Sequence, residues 1–411
     1  MNPAFVVFVG LPASGKSTFV ENHPSIKRFV ISSDQVRLQF GGVTLNSEGK
    51  EGIDQLNDKL VWSTIDAMIA NRLKNGVTTI LDATNCNVDL IYKKYFKLTQ
   101  KHNFRFVIIK FDCDIDTALE RNSKREDYQI VPEFVIHKMN ENLKEFGKPT
   151  WAHLILDADQ ITDFWTDINQ VTPDWSSYSR IYVIGDIQGC YDNLDNFLKV
   201  ADYENSAFVF LGDLTDRGPK NLETVRALSK LKSQLNQRMV VLLGNHDLNS
   251  RKYFGGSDVP KEQFASTKKE FEEANLSQKE TAVFNKFYSK FEWFYKAIFF
   301  GHTFFFTHGG IDRVIDNPSL YSGRQYIKGV GDRSNCNQCN LDFTQDSIQN
   351  HNGKAWSFHG HRNPEHHEFL TTPRTYVLES QVEFDGYLSV LEIVPNSKNT
   401  NQPFDFIEHK Y

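Results

Sequence analysis

Residues 10–17, GLPASGKS, follow the apolar run AFVVFV and precede an amphipathic stretch, and they fit the pattern G-x-x-x-x-G-K-[ST]. A loop of this kind belongs between a strand and a helix, which commits this part of the chain to α/β layers. Its glycines let the backbone turn with N–H groups facing inward, and the helix start adds positive potential, so the concavity suits phosphate. Gly10, Ser14, Gly15, Lys16, Ser17 and Thr18 are the candidate contacts to a nucleotide. Lys16 would neutralise β and γ oxygens, and the Ser17 hydroxyl is a candidate Mg²⁺ ligand. A glycine turn with a solvated lysine is the alternative, disfavoured by the strand-to-helix context.

The same rhythm continues in KRFVISS, GVTTILDA and FRFVIIKFD, the pattern of a parallel sheet flanked by helices. It ends with PEFVIHKMNENLKEFG. The weakly patterned WTDINQVTPDWSSYSR, with Pro173, marks a boundary, giving expected domains at 1–168 and 178–411. A second series follows in RIYVIGD, AFVFLGD, MVVLLGN and FFFTHGG, each apolar run ending in glycine beside a polar or ionisable residue. The charged stretch near 250–299 reads as a helical insertion. In NCNQCN, Cys336 and Cys339 form a lone C-x-x-C; structural zinc would need other ligands such as His351, and a polar loop is the plainer reading.

A length of 411 residues accommodates two or three domains, and two are expected. The net charge of -6 argues against a protein that coats nucleic acid by general electrostatics, so any such contact should be local. No run approaches the roughly 18 apolar residues of a membrane span. The start MNPAFVVFVG lacks a basic segment, and five cysteines are too few and odd in number for a disulfide scaffold, so a reducing cytoplasm is the expected location. The 33 phenylalanines are assigned to core packing.

Three further segments bear on the first domain. In SSDQVR, Asp34 and Arg37 are i and i+3 and share a helix side: a carboxylate able to accept a hydroxyl's proton and a guanidinium able to hold an acceptor phosphate, with an N-cap role for Asp34 as the alternative. LDATN places Asp82 at a strand end, near Mg²⁺ waters or the acceptor, with Thr84 and Asn85 as candidate turn residues. ERNSKRED puts Arg121 and Arg125 four apart on one helical face, either a mobile lid or a solvated basic face. With the P-loop, these segments resemble the kinase domain of polynucleotide 5′-kinases over residues 1–165. That resemblance implies that Lys16 and Ser17 bind ATP or another NTP with Mg²⁺, Asp34 is general base, Arg37 contacts the acceptor, and Arg121 with Arg125 forms the lid. Gluconate-kinase-type small-molecule kinases share much of this layout.

The second half reads, in order, GDIQG (Asp186, Gln188), GDLTDRG (Asp213, Asp216, Arg217), GNHD (Asn245, His246, Asp247), THGG (His308) and HGHR (His359, His361). Two adjacent divalent ions need a bridging carboxylate and oxygen or nitrogen ligands from several strand ends, which these segments supply. Asp186 and Gln188 are i and i+2, so in extended chain they point the same way. The set resembles the calcineurin-like metallophosphatases, a β-sandwich flanked by helices. By that resemblance Asp186 and Gln188 sit in the first metal site, Asp213 bridges, and Asn245, His308 and His361 complete the second, with Mn²⁺ the favoured ion. Arg217 would hold substrate phosphate, and His246, oriented by Asp216, would protonate the leaving oxygen. His361 matches the family's Gly-His, with His359 the alternative. The family usually has histidine where this chain has Gln188, a weaker donor for Mn²⁺.

The whole chain resembles the kinase and metallophosphatase modules of bacterial and phage-type polynucleotide kinase-phosphatases, RNA end-healing enzymes, without their ligase module. RNA or DNA ends, RNA favoured, and a separate RNA ligase are therefore the expected partners, in the cytoplasm or a phage host's cytoplasm. Rival readings are a nucleotide-metabolism enzyme acting on dinucleoside polyphosphates, a protein phosphatase with a regulatory P-loop domain, and a non-catalytic nucleotide sensor.

Overall fold

The computed structural model describes residues 2–411 apart from 46–48, 55, 170, 258, 260–263, 316, 332–335, 363–369 and 397–401. Two compact units divide the chain, residues 3–170 and residues 171–411 with the first two residues.

In the first unit, β1 (Ala4–Val9), β2 (Val30–Ser32), β5 (Thr79–Asp82), β6 (Arg105–Lys110) and β7 (Leu154–Asp157) form one parallel sheet, ordered β2-β5-β1-β6-β7. A two-stranded ribbon, β3 (Val43–Leu45) with β4 (Glu51–Ile53), stands apart from it. β1 is apolar throughout because both its faces are covered. Phe5, Val7 and Val9 enter one core layer, while Ala4, Val6 and Phe8 enter the other. The helix Asp58–Lys74 closes the first face with Val61, Ile65, Ile69 and Leu73, one residue per turn. Parallel strands deliver all their C-terminal ends to one edge, so the loops after β1, β2 and β5 converge there.

The second unit is a sandwich of two five-stranded sheets. One is ordered β10-β9-β8-β16-β17: β10 (Met239–Val241), β9 (Ser206–Phe210), β8 (Arg180–Ile184), β16 (Ser389–Pro395) and β17 (Phe404–Lys410). The other is ordered β11-β12-β13-β15-β14: β11 (Phe294–Phe299), β12 (His302–Thr307), β13 (Ala355–His359), β15 (Thr375–Val377) and β14 (Leu370–Thr372). Alternation along the strands sets the layers. Ile181, Val183, Ala207 and Val209 point between the sheets with Phe304, Phe306 and Phe358, whereas Tyr182, Ile184, Phe208, Phe210 and Phe305 point outward under helices. Phe358 lies 5.2 Å from Phe306 and 5.3 Å from Phe304, so phenylalanines do fill this core.

Two expectations need correction. The charged stretch is helical over Ala265–Glu273 and Gln278–Tyr288, but Phe294–Phe299 is strand β11, paired antiparallel with β12, because its aromatic and β-branched side chains pack on the neighbouring strand better than on a helix. Cys336 and Cys339 do not lie in a loop: a helix spans Cys336–Asn350, with Cys339 buried. The first residue of NCNQCN lies outside the described residues. No helix among the described residues is long and apolar enough to cross a membrane.

Candidate active sites

At the C-terminal edge of the first sheet, the glycine loop leads into the helix Lys16–Asn22 through Gly15, whose φ of 101° is the left-handed conformation that glycine adopts freely. Gly10 is held for a different reason: a Cβ there would stand 2.8 Å from Phe111 Cβ and from Ser14 Oγ. Lys16 is buried, and its Nζ donates to the carbonyls of Gly10 (2.9 Å) and Leu11 (2.6 Å). Burial lowers its pKa to about 8, opposed by Asp82 and Asp34 and assisted by Arg125. Burial likewise pushes Asp82 up to about 6, against the pull of Lys16. Lys16, Asp34, Asp82 and Arg125 are thus near enough for their charges to act on one another.

Asp34 is not the N-cap of its helix, a position held by Ser32; it accepts instead from Arg37 Nη1 at 2.9 Å. Arg37 is further held by Asp58, whose Oδ1 accepts from Nη2 at 2.7 Å and from Nε at 3.0 Å. Asp58 carries no signal in the sequence, since it lies in another helix. Asn85 does more than turn the chain, for its Nδ2 donates to the Phe8 carbonyl at 2.8 Å and so ties the loop after β5 to β1. Thr84 contributes its carbonyl, which accepts from Gly10 N. The arginine pair needs correction. Arg121 is helical, but the helix Ile115–Ser123 ends before Arg125, so they do not share a helical face. The reason is Asn122, buried and doubly bonded to the Val131 backbone, which pins the chain as it leaves the helix.

In the second unit the site lies at strand ends in a cavity of 480 Å³ lined by Asp186, Gln188, Asp213, Asn245, His361 and Glu379, among others. Side-chain donors of Asp213, His308 and His361 lie within 4.8 Å of one another, a cluster able to hold a metal ion. His308 Nδ1 lies 2.8 Å from the Leu211 carbonyl, which leaves Nε2 facing Asp213 Oδ2 at 3.3 Å and Asn245 Oδ1 at 3.4 Å. Burial disfavours charge on both members of the pair, yet mutual attraction raises the His308 pKa and holds the Asp213 carboxyl below the usual range. Asp186 is pushed well above that range, first by burial and then by Glu379, to which it is hydrogen-bonded.

These residues fit divalent cations. Gln188 is buried, its Nε2 donates to Asp213 Oδ2 at 3.1 Å, and its Oε1 has no hydrogen-bond partner. An orphaned buried acceptor beside buried carboxylates is costly unless a cation takes it up. The expectation of extended chain from Asp186 to Gln188 is corrected: Gln188 has φ 53°, because the amides of Ile187 and Gln188 both donate to the Asp213 carbonyl and fold the segment over. Asp213 (49°), Asp216 (86°), Arg217 (54°) and His361 (57°) also have positive φ. Such conformations cost free energy, and they concentrate here on the site's own residues.

His246 Nδ1 lies 2.7 Å from Asp216 Oδ2, and Arg217 Nη2 lies 3.2 Å from His246 Nε2. His359 is turned elsewhere, with Nε2 2.9 Å from Asn340 Oδ1 and Nδ1 3.0 Å from the Gly360 carbonyl; burial lowers its pKa to about 4. The structure thus brings His361, and not His359, to the cluster.

Four contributors had no reading as site residues in the sequence. Glu379 and Glu383 lie beyond β15; Glu383, its side chain buried, pairs with Arg217. Thr267 donates to Asp216 Oδ1 at 2.6 Å. Asp247, wholly buried, accepts from the amides of Asp213 (2.7 Å), Gly244 (2.9 Å) and Leu214 (3.1 Å), and so shapes the loops after β9 and β10 at once. Only Asp247 lay within a motif that could have flagged it.

The fold and these sites define an α/β chain in which a P-loop kinase-like unit precedes a metal-dependent phosphoesterase. Residues 179–387 match the calcineurin-like phosphoesterase family, and the chain belongs to that family. Residues 5–146 match the AAA domain model. The first implies divalent cations and the second nucleotide binding. Among curated relatives, the symmetrical bis(5′-nucleosyl)-tetraphosphatase of Vibrio cholerae serotype O1 is 47% identical over 70 residues, 16% of this chain and 24% of that protein. The same enzyme of Coxiella burnetii is 44% identical over 69 residues, 16% of this chain and 22% of its own. The chain thus spans about a quarter of the length of the relatives it matches. A solved protein serine/threonine phosphatase from Saccharomyces cerevisiae is 16% identical over 57% of this chain and 81% of its own, with a TM-score of 0.40.

Proposed function

We propose that the chain processes both ends of a nucleic-acid break, RNA favoured: the first unit transfers the γ-phosphate of an NTP to a 5′-hydroxyl, and the second removes a 3′-phosphate or 2′,3′-cyclic phosphate. The observation that carries this reading is the pairing on one chain of a P-loop beside an Asp34–Arg37 couple with a phosphoesterase centre beside a His246–Asp216 couple.

In the kinase step, Gly10, Ser14, Gly15, Ser17 and Thr18 cradle the NTP phosphates, Lys16 neutralises the transferring group, and Arg121 and Arg125 add positive charge from the neighbouring segment. Asp34 accepts the acceptor hydroxyl's proton while Arg37 holds the acceptor's phosphate. In the phosphatase step, Asp186, Gln188, Asp213, Asn245, His308 and His361 would hold two divalent cations, which supply an activated water and charge stabilisation. Arg217 orients the substrate phosphate, and His246, its ring fixed by Asp216, donates a proton to the departing oxygen.

The test is transfer of label from [γ-³²P]ATP to a 5′-hydroxyl oligoribonucleotide, with the 3′ end followed in the same reaction. Label transfer lost in Lys16→Ala and Asp34→Ala, together with 3′-phosphate removal lost in Asp213→Ala, is the expected result. A second reading is favoured by the 47% identity to bis(5′-nucleosyl)-tetraphosphatase: a nucleotide-metabolism enzyme whose second unit cleaves dinucleoside polyphosphates. Preference for diadenosine tetraphosphate over oligonucleotides, without transfer to RNA, would establish it.

A further inference from the structure

The helix Gly323–Lys328 plays no part in the chemistry above, yet Arg324, Gln325 and Lys328 line the same cavity as the metal cluster. Gln325 is committed to its own helix, where its Oε1 accepts from Ser322 N at 2.8 Å. Arg324 and Lys328 are different. Both are exposed, they are i and i+4 on one face, and neither has an ion-pair partner among the described residues. Arg217, by contrast, is already paired with Glu383 and touches His246.

The helix that carries Arg324 and Lys328 is braced against segments next to the site. Gly323 lies flush on Trp293, where a Cβ would run into the indole, and Tyr326 stacks on Phe294 at 5.0 Å and 12°. Gly309, which follows His308 directly, donates its N–H to the Tyr326 carbonyl at 2.8 Å. Gly309 and Gly329 are packed so closely that a Cβ on either would strike the other's backbone. A helix so braced holds its side chains more reproducibly than a loop would. The cavity's 480 Å³ falls in the range of small-molecule sites, roughly 300–1,000 Å³, and so takes more than one phosphate group.

We infer that Arg324 and Lys328 form a second phosphate subsite, which binds a phosphate covalently linked to the one being hydrolysed. This rests on the reading that the second unit hydrolyses phosphate esters. The linked phosphate is either the next phosphodiester of a polynucleotide or the chain of a dinucleoside polyphosphate; both present the same anionic oxygens to these side chains.

The test compares the full-length, Mn²⁺-loaded protein with its Arg324→Ala/Lys328→Ala variant on four substrates: p-nitrophenyl phosphate, adenosine 3′-monophosphate, a 3′-phosphorylated dinucleotide and diadenosine tetraphosphate. Alanine suits these two exposed helix positions, so the fold is retained. The expected result is a KM for the dinucleotide raised roughly tenfold or more, as for loss of charged hydrogen bonds. The two single-phosphate substrates should change by less than about twofold in KM and kcat. Lys328→Arg, which keeps the charge, should retain most of the preference. A selective rise on diadenosine tetraphosphate alone would support the subsite and assign the linked phosphate to a polyphosphate chain. Equal changes on all four substrates, or none, would overturn the subsite while leaving the phosphatase reading intact. No hydrolysis of any substrate by the wild type would overturn that reading, and the subsite with it.

Discussion

Asp216 holds His246 with one carboxylate oxygen, 2.7 Å from Nδ1, while its other oxygen accepts from Thr267 at 2.6 Å. The imidazole is thereby oriented with Nε2 toward Arg217. A general acid so placed matters most when the leaving group is a poor one. His246→Ala should lower kcat on a ribose 3′-phosphate by roughly 10²–10⁴-fold. The loss on p-nitrophenyl phosphate, whose leaving group needs little protonation, should be much smaller, and Asp216→Asn should show the same asymmetry in weaker form. Equal losses on the two substrates would remove His246 from the acid role.

In the first unit, Asp58 restrains Arg37 from a second helix while Asp34 meets the same guanidinium. Asp34→Asn should cut phosphoryl transfer by roughly 10²-fold or more with ATP affinity preserved. Asp58→Asn should instead raise the acceptor KM a few-fold, because it loosens a positioning contact. Isothermal titration with ATP and steady-state kinetics on 5′-hydroxyl oligonucleotides separate the two effects.

Lys16 has a pKa lowered to about 8 by burial. Phosphate oxygens favour the ammonium, so ATP binding raises that pKa again. ATP affinity is therefore fully present below pH 8 and falls as pH rises through it, with proton uptake on binding. Calorimetry at pH 8.5 in buffers of different ionisation enthalpy should detect that uptake in the wild type and none in Lys16→Met.

Gln188 offers the cavity an orphaned amide oxygen where an imidazole would bind more strongly. Gln188→His should therefore tighten Mn²⁺ binding, read by electron paramagnetic resonance of free Mn²⁺. Unchanged affinity in that titration would show that Gln188 does not limit the site.

Asp247 is a structural control on the same centre. Its two oxygens take three backbone amides, and an asparagine would turn an N–H₂ toward one of them. Asp247→Asn should destabilise the phosphoesterase unit by about 1–3 kcal/mol, measured by urea denaturation, and reduce its activity while kinase activity persists.

The elements legible in the sequence were those whose signal is local. β1, β6 and β8 read as strands because their apolar runs have the right length and bounds, and the P-loop read as such because glycine, lysine and serine must stand at set spacing. The motifs at the ends of β8, β9, β10, β12 and β13 likewise placed Asp186, Asp213, Asn245, His308 and His361, and the structure brings them to one cavity or its wall. Local signals misled where neighbours outweighed propensity: Phe294–Phe299 became an edge strand by pairing with β12, and Arg125 left its helix because buried Asn122 is bonded to Val131.

Read without the fold, the chain yielded the glycine loop, the apolar runs of β1, β2, β5, β6, β8, β9, β10 and β12, and the motifs that carry the candidate metal ligands, since each depends on residues a few positions apart. Packing supplied the rest: Glu379 meets Asp186, Glu383 pairs with Arg217, Asp58 restrains Arg37, and Arg324 and Lys328 line the same cavity as Asp213 and His361. These are contacts between segments far apart along the chain. No spacing rule records them, because they arise from the packing of layers that bury apolar faces and leave the polar strand ends together.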